Sequence, residues 1–236
     1  MNKHIDLLRK RLTEAADEKT REGSQHFFKE TVQVYGVKAK PLKAISKELY
    51  QQLKSHSKNE IFLLCETLWQ SGMLEESFVA GDWCYARRKE YVPDDLILFR
   101  RWIDKYVSNW ASCDNFCNHS MGELMMRYPE LLIELLGFTG SENRWMRRAA
   151  AVSLIVPARK GMFIDIVFKI ADLLLHDHDD MVQKGYGWML KVAAKHHQEK
   201  VFDFVMKHRE TMPRTALRYA IEKMPEALRR EAMKRN

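Results

Sequence analysis

Apolar residues recur at intervals of three and four along almost the whole chain, the spacing of one buried face of an α-helix. Residues 3–20 carry Ile5, Leu8, Leu12 and Ala15 on one side and predict an amphipathic helix. Gln25 to Val34 predicts a second, short one. In YGVKAKPLKAISKELYQQL, Gly36 and Pro41 mark a turn before a helix that starts near Pro41. Asn59-Glu60 then opens a strongly apolar helix, IFLLCETLWQS, which Gly72 stops.

From there the pattern repeats. The segments EESFVAGDWCYARRKEY, WASCDNFCNHSMGELMMRYP, NRWMRRAAAVSLIVPARKG, MVQKGYGWMLKVAAKHHQE and MPRTALRYAIEKMP each read as one helix with small residues near its start. The first four are followed by a second amphipathic segment: DDLILFRRWIDKYV, PELLIELLGFTG, FIDIVFKIADLLL and KVFDFVMKHRE. Measured from Phe78 to Asp114, Arg148 and Lys184 the period is about 35 residues, within the range of helical-pair repeats. A helix pair cannot bury its apolar face alone, so neighbouring pairs stack into a curved solenoid with one concave face. The helices bearing Ala80 and Gly81, Ala111 and Ser112, Ala149 and Ala150, and Gly185 and Gly187 suit the tighter inner layer. Basic residues fall on or just after them: Arg87, Arg88, Arg144, Arg147, Arg148, Arg159, Lys160, Lys184, Lys191, Arg214 and Arg218. A cationic concave groove is the expected surface, suited to a nucleic-acid backbone. Several of these charges also read as an ordinary solvated face.

Charge sharpens this picture. The net charge is +7 with a pI near 9.2, which favours a polyanionic partner. No run of about 18 apolar residues exists, so no membrane span is expected. The first twenty residues lack the apolar core of a secretory signal, and four scattered cysteines do not make a disulfide framework. A cytoplasmic, reducing setting is expected, nucleoid-associated in a bacterium.

The stretch YVSNWASCDNFCNH (106–119) holds the most pointed chemistry. Trp110 and Asp114 are four apart and share a helical face. Trp145 with Arg148, and Lys184 with Trp188, occupy equivalent places one and two repeats later. A tryptophan at helical spacing is core more often than site. An acid inside an apolar helix needs a partner or a function, and an N-cap or an ion pair to Arg148 would also answer for Asp114. Cys113, Cys117 and His119 lack a second ligand pair elsewhere, so no metal site is expected. The run HDHDD (176–180) reads as a loop capping the next helix. Phosphate-binding glycine loops and a GxSxG elbow are missing, which removes support for nucleotide-phosphate and serine-hydrolase chemistry.

At these residues the chain resembles the DNA alkylation repair family, the AlkD-type DNA glycosylases built from HEAT-like repeats. The carrying segments are NWASCD (109–114), SENRWMRRAA (141–150) and VQKGYGWML (182–190), together with the opening YGVKAKPLKAISKE (35–48). The resemblance implies an all-α, right-handed α-solenoid of HEAT-like helical-pair repeats with a concave basic groove. It would form a single domain over 1–236, with 1–58 as amino-terminal capping helices and 59–236 as repeats. It implies a monofunctional glycosylase that excises cationic N3- or N7-alkylated purines, such as 3-methyladenine and 7-methylguanine, from duplex DNA without base flipping. Asp114, Trp110 and Trp188 would be catalytic. Arg148 would grip the phosphate beside the lesion, and Arg144, Arg147, Lys184, Lys191, Arg159, Arg214 and Arg218 would bind DNA. No cofactor is implied, and the partner is double-stranded DNA containing alkylated bases, bound by a monomer. Asn109 and Ala111 depart from the family pattern, which carries a tryptophan and an acid there. The alternatives are a non-catalytic DNA-structure-binding paralogue and, third, a protein-interaction scaffold.

Overall fold

A computed structural model of the chain describes residues 2–234. It is all-α: among the described residues the one extended pairing is a parallel bridge between Gln33 and Met73. No described helix is long and apolar enough to cross a membrane. The chain forms two compact units, Met1–Phe116 and Cys117–Asn236.

The first unit contains α1 (Lys3–Glu14), α2 (Glu18–Ser24), α3 (Ala39–Gln52), α4 (Lys58–Gln70), α5 (Leu74–Ala86), α6 (Asp95–Tyr106) and α7 (Trp110–Phe116). The helix expected over 3–20 breaks in two because Asp17 turns its carboxylate onto the Thr20 amide, 2.8 Å away, and caps a new helix. The short helix expected over Gln25–Val34 is absent beyond a 3-10 turn at Gln25–Phe27. There the Gln25 side chain donates to the Glu30 carbonyl (2.8 Å) and accepts from the Val32 amide (3.2 Å). The backbone bonds of a helix are thereby replaced by an extended strap. Pro41 lies in the first turn of α3, where no amide hydrogen is needed. Ser57 and Glu60 close a capping box on α4, and Gly72 ends that region at φ +70°.

Packing follows the alternation of small and large residues. Helices α3 and α7 both pack on α5, and α4 packs on α5 and α6. Gly81 makes the α5–α7 approach possible, since a Cβ there would sit 2.6 Å from the Asn115 side-chain nitrogen. Phe62, Tyr91, Phe99, Trp102 and Phe116 interlock with ring centroids 5.1–6.3 Å apart. Each fully buried ring contributes roughly 1.5–3 kcal/mol relative to exposure.

The second unit begins with a π-helical segment, Cys117–Met121. It continues as α8 (Gly122–Arg127), α9 (Leu132–Phe138), α10 (Arg144–Val152), α11 (Ile155–Arg159), α12 (Ile164–Leu173), α13 (Asp180–His208), α14 (Arg214–Ile221) and α15 (Glu226–Met233). The helix expected in NRWMRRAAAVSLIVPARKG divides into α10 and α11 between Ser153 and Leu154, just before Pro157, whose missing amide hydrogen removes one helical bond. The two helices expected over 181–210 run together as α13 but meet at a kink. His197 there has φ −134°, and its ring bonds the Gly161 carbonyl at 3.0 Å. Helices α10, α13 and α14 form one packed row, while α9 and α12 pair beside it.

Gly187 sets the α13–α14 distance: an added Cβ would lie 2.7 Å from the Ala216 carbonyl oxygen and 2.7 Å from the Tyr219 Cβ. Gly187→Ala is expected to destabilise the protein by about 1–3 kcal/mol through overpacking, more than the ~1 kcal/mol gained in helix propensity. Urea denaturation measures this, and an unshifted midpoint would show that α14 yields freely.

Candidate nucleic-acid interface

In the first unit the site starts from a cap. The buried Asn109 side chain accepts from the Ser112 amide at 2.9 Å, so α7 begins at Trp110 and Asp114 sits one turn inside it. Asp114 is therefore not an N-cap. Both Trp110 and Asp114 are partly exposed, and their four-residue spacing gives them one face. The indole Nε1–H of Trp110 donates to the Phe27 carbonyl at 3.2 Å. The Phe28 ring stacks on the indole with centroids 5.5 Å apart and planes inclined by 26°. Phe27 itself is 74% exposed, the most open large apolar side chain among the described residues. An aromatic shelf and a carboxylate thus share one end of the first unit. Cys113 beside them is fully buried, as a small packing residue.

In the second unit Asn143 caps α10, accepting from the Trp145 amide at 2.9 Å. Trp145 is core, 6% exposed, with the Arg144 guanidinium 4.9 Å from its ring centroid. Arg148 is also buried, 5% exposed, and donates through Nη1 to the Met181 carbonyl in the first turn of α13. Gly185 leaves room for its stem, lying 3.3 Å from Arg148 Cγ as measured from an ideal Cβ. Trp188 is partly exposed on α13.

The run 176–180 ties the other basic residues of α10 and α13. Arg147 grips Asp177 (Nε–Oδ2 2.6 Å) and also donates to the Ser141 and Glu142 carbonyls. Arg144 pairs with Asp179 at 2.7 Å, and Lys184 with Asp180 at 3.1 Å. Asp179 meanwhile caps α13, accepting from the Met181 amide at 2.8 Å. Arg144, Arg147 and Lys184 are thus held by the protein's own carboxylates. Among the described residues no three His, Cys, Asp or Glu side chains are grouped to hold a metal ion.

The remaining predicted cations separate. Lys191 pairs with Glu222 at 2.9 Å, and that bond, outweighing the opposing effect of burial, holds the Glu222 carboxyl below its usual range. Lys191 and Arg159 do meet, lining a hollow of about 420 Å³ with Lys195, Lys223 and the apolar Val192 and Met224. Arg214 donates to the Met233 carbonyl at 3.3 Å, whereas Arg218 is exposed beside Arg229 and Arg230. The sequence pattern missed Lys195, Lys223, Phe27 and Phe28. Two adjacent phenylalanines in the polar context QHFFKE were the one available signal for the shelf.

With this geometry in place, comparison with family models assigns a family. The chain belongs to the DNA alkylation repair enzyme family, whose model matches residues 8–224. Membership assigns it to the repair of alkylated DNA, with DNA as partner. A solved structure described as a predicted DNA alkylation repair enzyme from Enterococcus faecalis shares the fold. Its TM-score is 0.80 at 19% identity, covering 89% of this chain and 97% of that one. A search of curated proteins finds no match.

Proposed function

We propose that the chain is a monofunctional DNA glycosylase that removes cationic N3- and N7-alkylated purines from duplex DNA. The observation that carries this reading is the partly exposed stack of Trp110 and Phe28, beside the exposed Phe27, with a carboxylate one turn away in a chain of this family. An alkylated purine is already cationic and departs as a neutral base, so the leaving group needs little help from an acid. The sugar develops oxocarbenium character as the bond breaks. Asp114 stabilises that charge and orients water towards the anomeric carbon. The Trp110 indole attracts the same cation through its ring quadrupole. A lesion met on an open shelf need not be extruded into a deep pocket.

The cations divide by role. Arg148, held by the Met181 carbonyl, presents at most one edge of its guanidinium to a DNA phosphate. Arg144, Arg147 and Lys184 must share themselves between DNA and Asp177, Asp179 and Asp180. Arg159, Lys195 and Lys223 are exposed and supply sequence-independent phosphate affinity along with Lys191, Arg214 and Arg218.

The test is mass spectrometry of bases freed from methylated duplex DNA. The expected products are 7-methylguanine and 3-methyladenine, with intact abasic strands. Salt-sensitive binding with no freed base would instead support the DNA-structure-binding alternative.

A further inference from the structure

The strap that carries Phe27 and Phe28 is anchored by two carboxylates in the first turn of α5. Glu75 and Glu76 are 4% and 0% exposed. Glu75 accepts three successive strap amides: Tyr35 at 3.0 Å, Gly36 at 2.8 Å and Val37 at 3.0 Å. Successive amides outside a helix converge on one anion where the backbone turns through a left-handed residue, and Gly36 has φ +89°. A Cβ at Gly36 would lie 2.8 Å from the Asp17 carbonyl oxygen, so glycine is required there on two counts. Glu76 accepts the Tyr35 hydroxyl at 2.7 Å and both arms of the Arg9 guanidinium at 3.0 Å. Burial, and then this hydrogen bond, hold the Tyr35 phenol well above its usual range, so it remains a donor. The Leu74 amide bonds the Gln33 carbonyl at 2.9 Å, completing the anchor.

Buried charges of this kind add little net stability, because desolvation offsets their attraction, but they hold one geometry. What they hold is the far end of the strap. From Gln33 it runs back through the Gln25 brace to the Phe27 carbonyl, which takes the Trp110 indole proton, and to Phe28, stacked on that indole. Helix α5, which carries both acids, also packs against α7, which carries Trp110. One helix therefore references both the strap and the tryptophan.

We infer that Glu75, Glu76 and Tyr35 are positioning residues that fix the orientation of Trp110 through the 25–37 strap. The inference rests on the proposed role of Trp110 in holding the sugar cation. Its effect falls on the chemical step rather than on DNA affinity, since none of Glu75, Glu76 and Tyr35 is a cation.

The test uses the full chain, Glu75→Gln and Tyr35→Phe, each with and without Trp110→Phe. Subtracting the paired spectra isolates Trp110 emission from the other tryptophans. Both variants are expected to raise acrylamide quenching of Trp110 at least twofold. Single-turnover release of 7-methylguanine should fall roughly ten- to a hundredfold, while Kd for the methylated duplex changes less than twofold. Folded variants with unchanged Trp110 quenching would overturn the inference, as would a loss of release matched by an equal loss of binding. Should Glu75→Gln fail to fold, Tyr35→Phe, which removes a single hydroxyl, decides alone. Should the unsubstituted chain free no purine, the proposed function fails. Quenching then judges the anchor by itself: a rise upholds it and no change sinks it.

Discussion

Asp114→Asn is expected to lower release of 7-methylguanine from methylated duplex DNA by about a hundred- to a thousandfold. Binding to the same duplex should remain within a few-fold. The substitution keeps the size and shape of the side chain, and Asp114 is partly exposed inside α7 rather than at its cap, so the helix has no reason to fray. What changes is charge. A neutral amide cannot balance a developing oxocarbenium ion, and it orients water poorly for attack on that ion. Single-turnover assays at saturating protein separate this loss from any loss of affinity. Release within threefold of the unsubstituted chain would remove Asp114 from the mechanism. Loss of binding in step with release would make it a structural residue.

Arg148→Ala is expected to cost on the order of 3 kcal/mol of stability, most of it unrelated to DNA. Its guanidinium is 5% exposed and donates to the Met181 carbonyl, and its stem lies in the gap left by Gly185. Truncation removes the bond to the Met181 carbonyl and opens a void between α10 and α13. Arg148→Glu should be worse, because it buries an acid beside that same carbonyl. Chemical denaturation, run alongside duplex binding at several salt concentrations, distinguishes the two roles. A normal unfolding midpoint with weakened binding and a shallower salt slope would mean that Arg148 serves the phosphate and not the fold. Lys195→Ala, by contrast, should leave stability unchanged and flatten the salt slope by roughly one ion.

Much of the fold was legible because it is written in local periodicity. The apolar stripe of α4, the small residues of α5, α7, α10 and α13, and the cap at Asp179 depend on neighbours three or four residues away. Where a side chain competes with the helix for backbone bonds, the pattern misled. Asp17 and Gln25 turned their side chains onto nearby amides and carbonyls, so the first helix ends at Glu14 and the 25–34 helix becomes a strap. Pro157 likewise divided one expected helix in two.

The candidate site divides along the same line. Trp110 and Asp114 could be paired from their spacing, because four residues make a shared face whatever the rest of the chain does. The sequence by itself therefore determined an all-α repeat protein with an acid beside an aromatic, and a basic surplus. Only the tertiary structure decided which charges are available. Arg9 and Glu76 are 67 residues apart and Trp110 and the Phe27 carbonyl 83, separations at which no periodicity carries information. Arg148 and Arg159 are the same residue type eleven positions apart. One is sealed between two helices and the other open to solvent, because burial depends on what packs against a side chain rather than on the side chain itself.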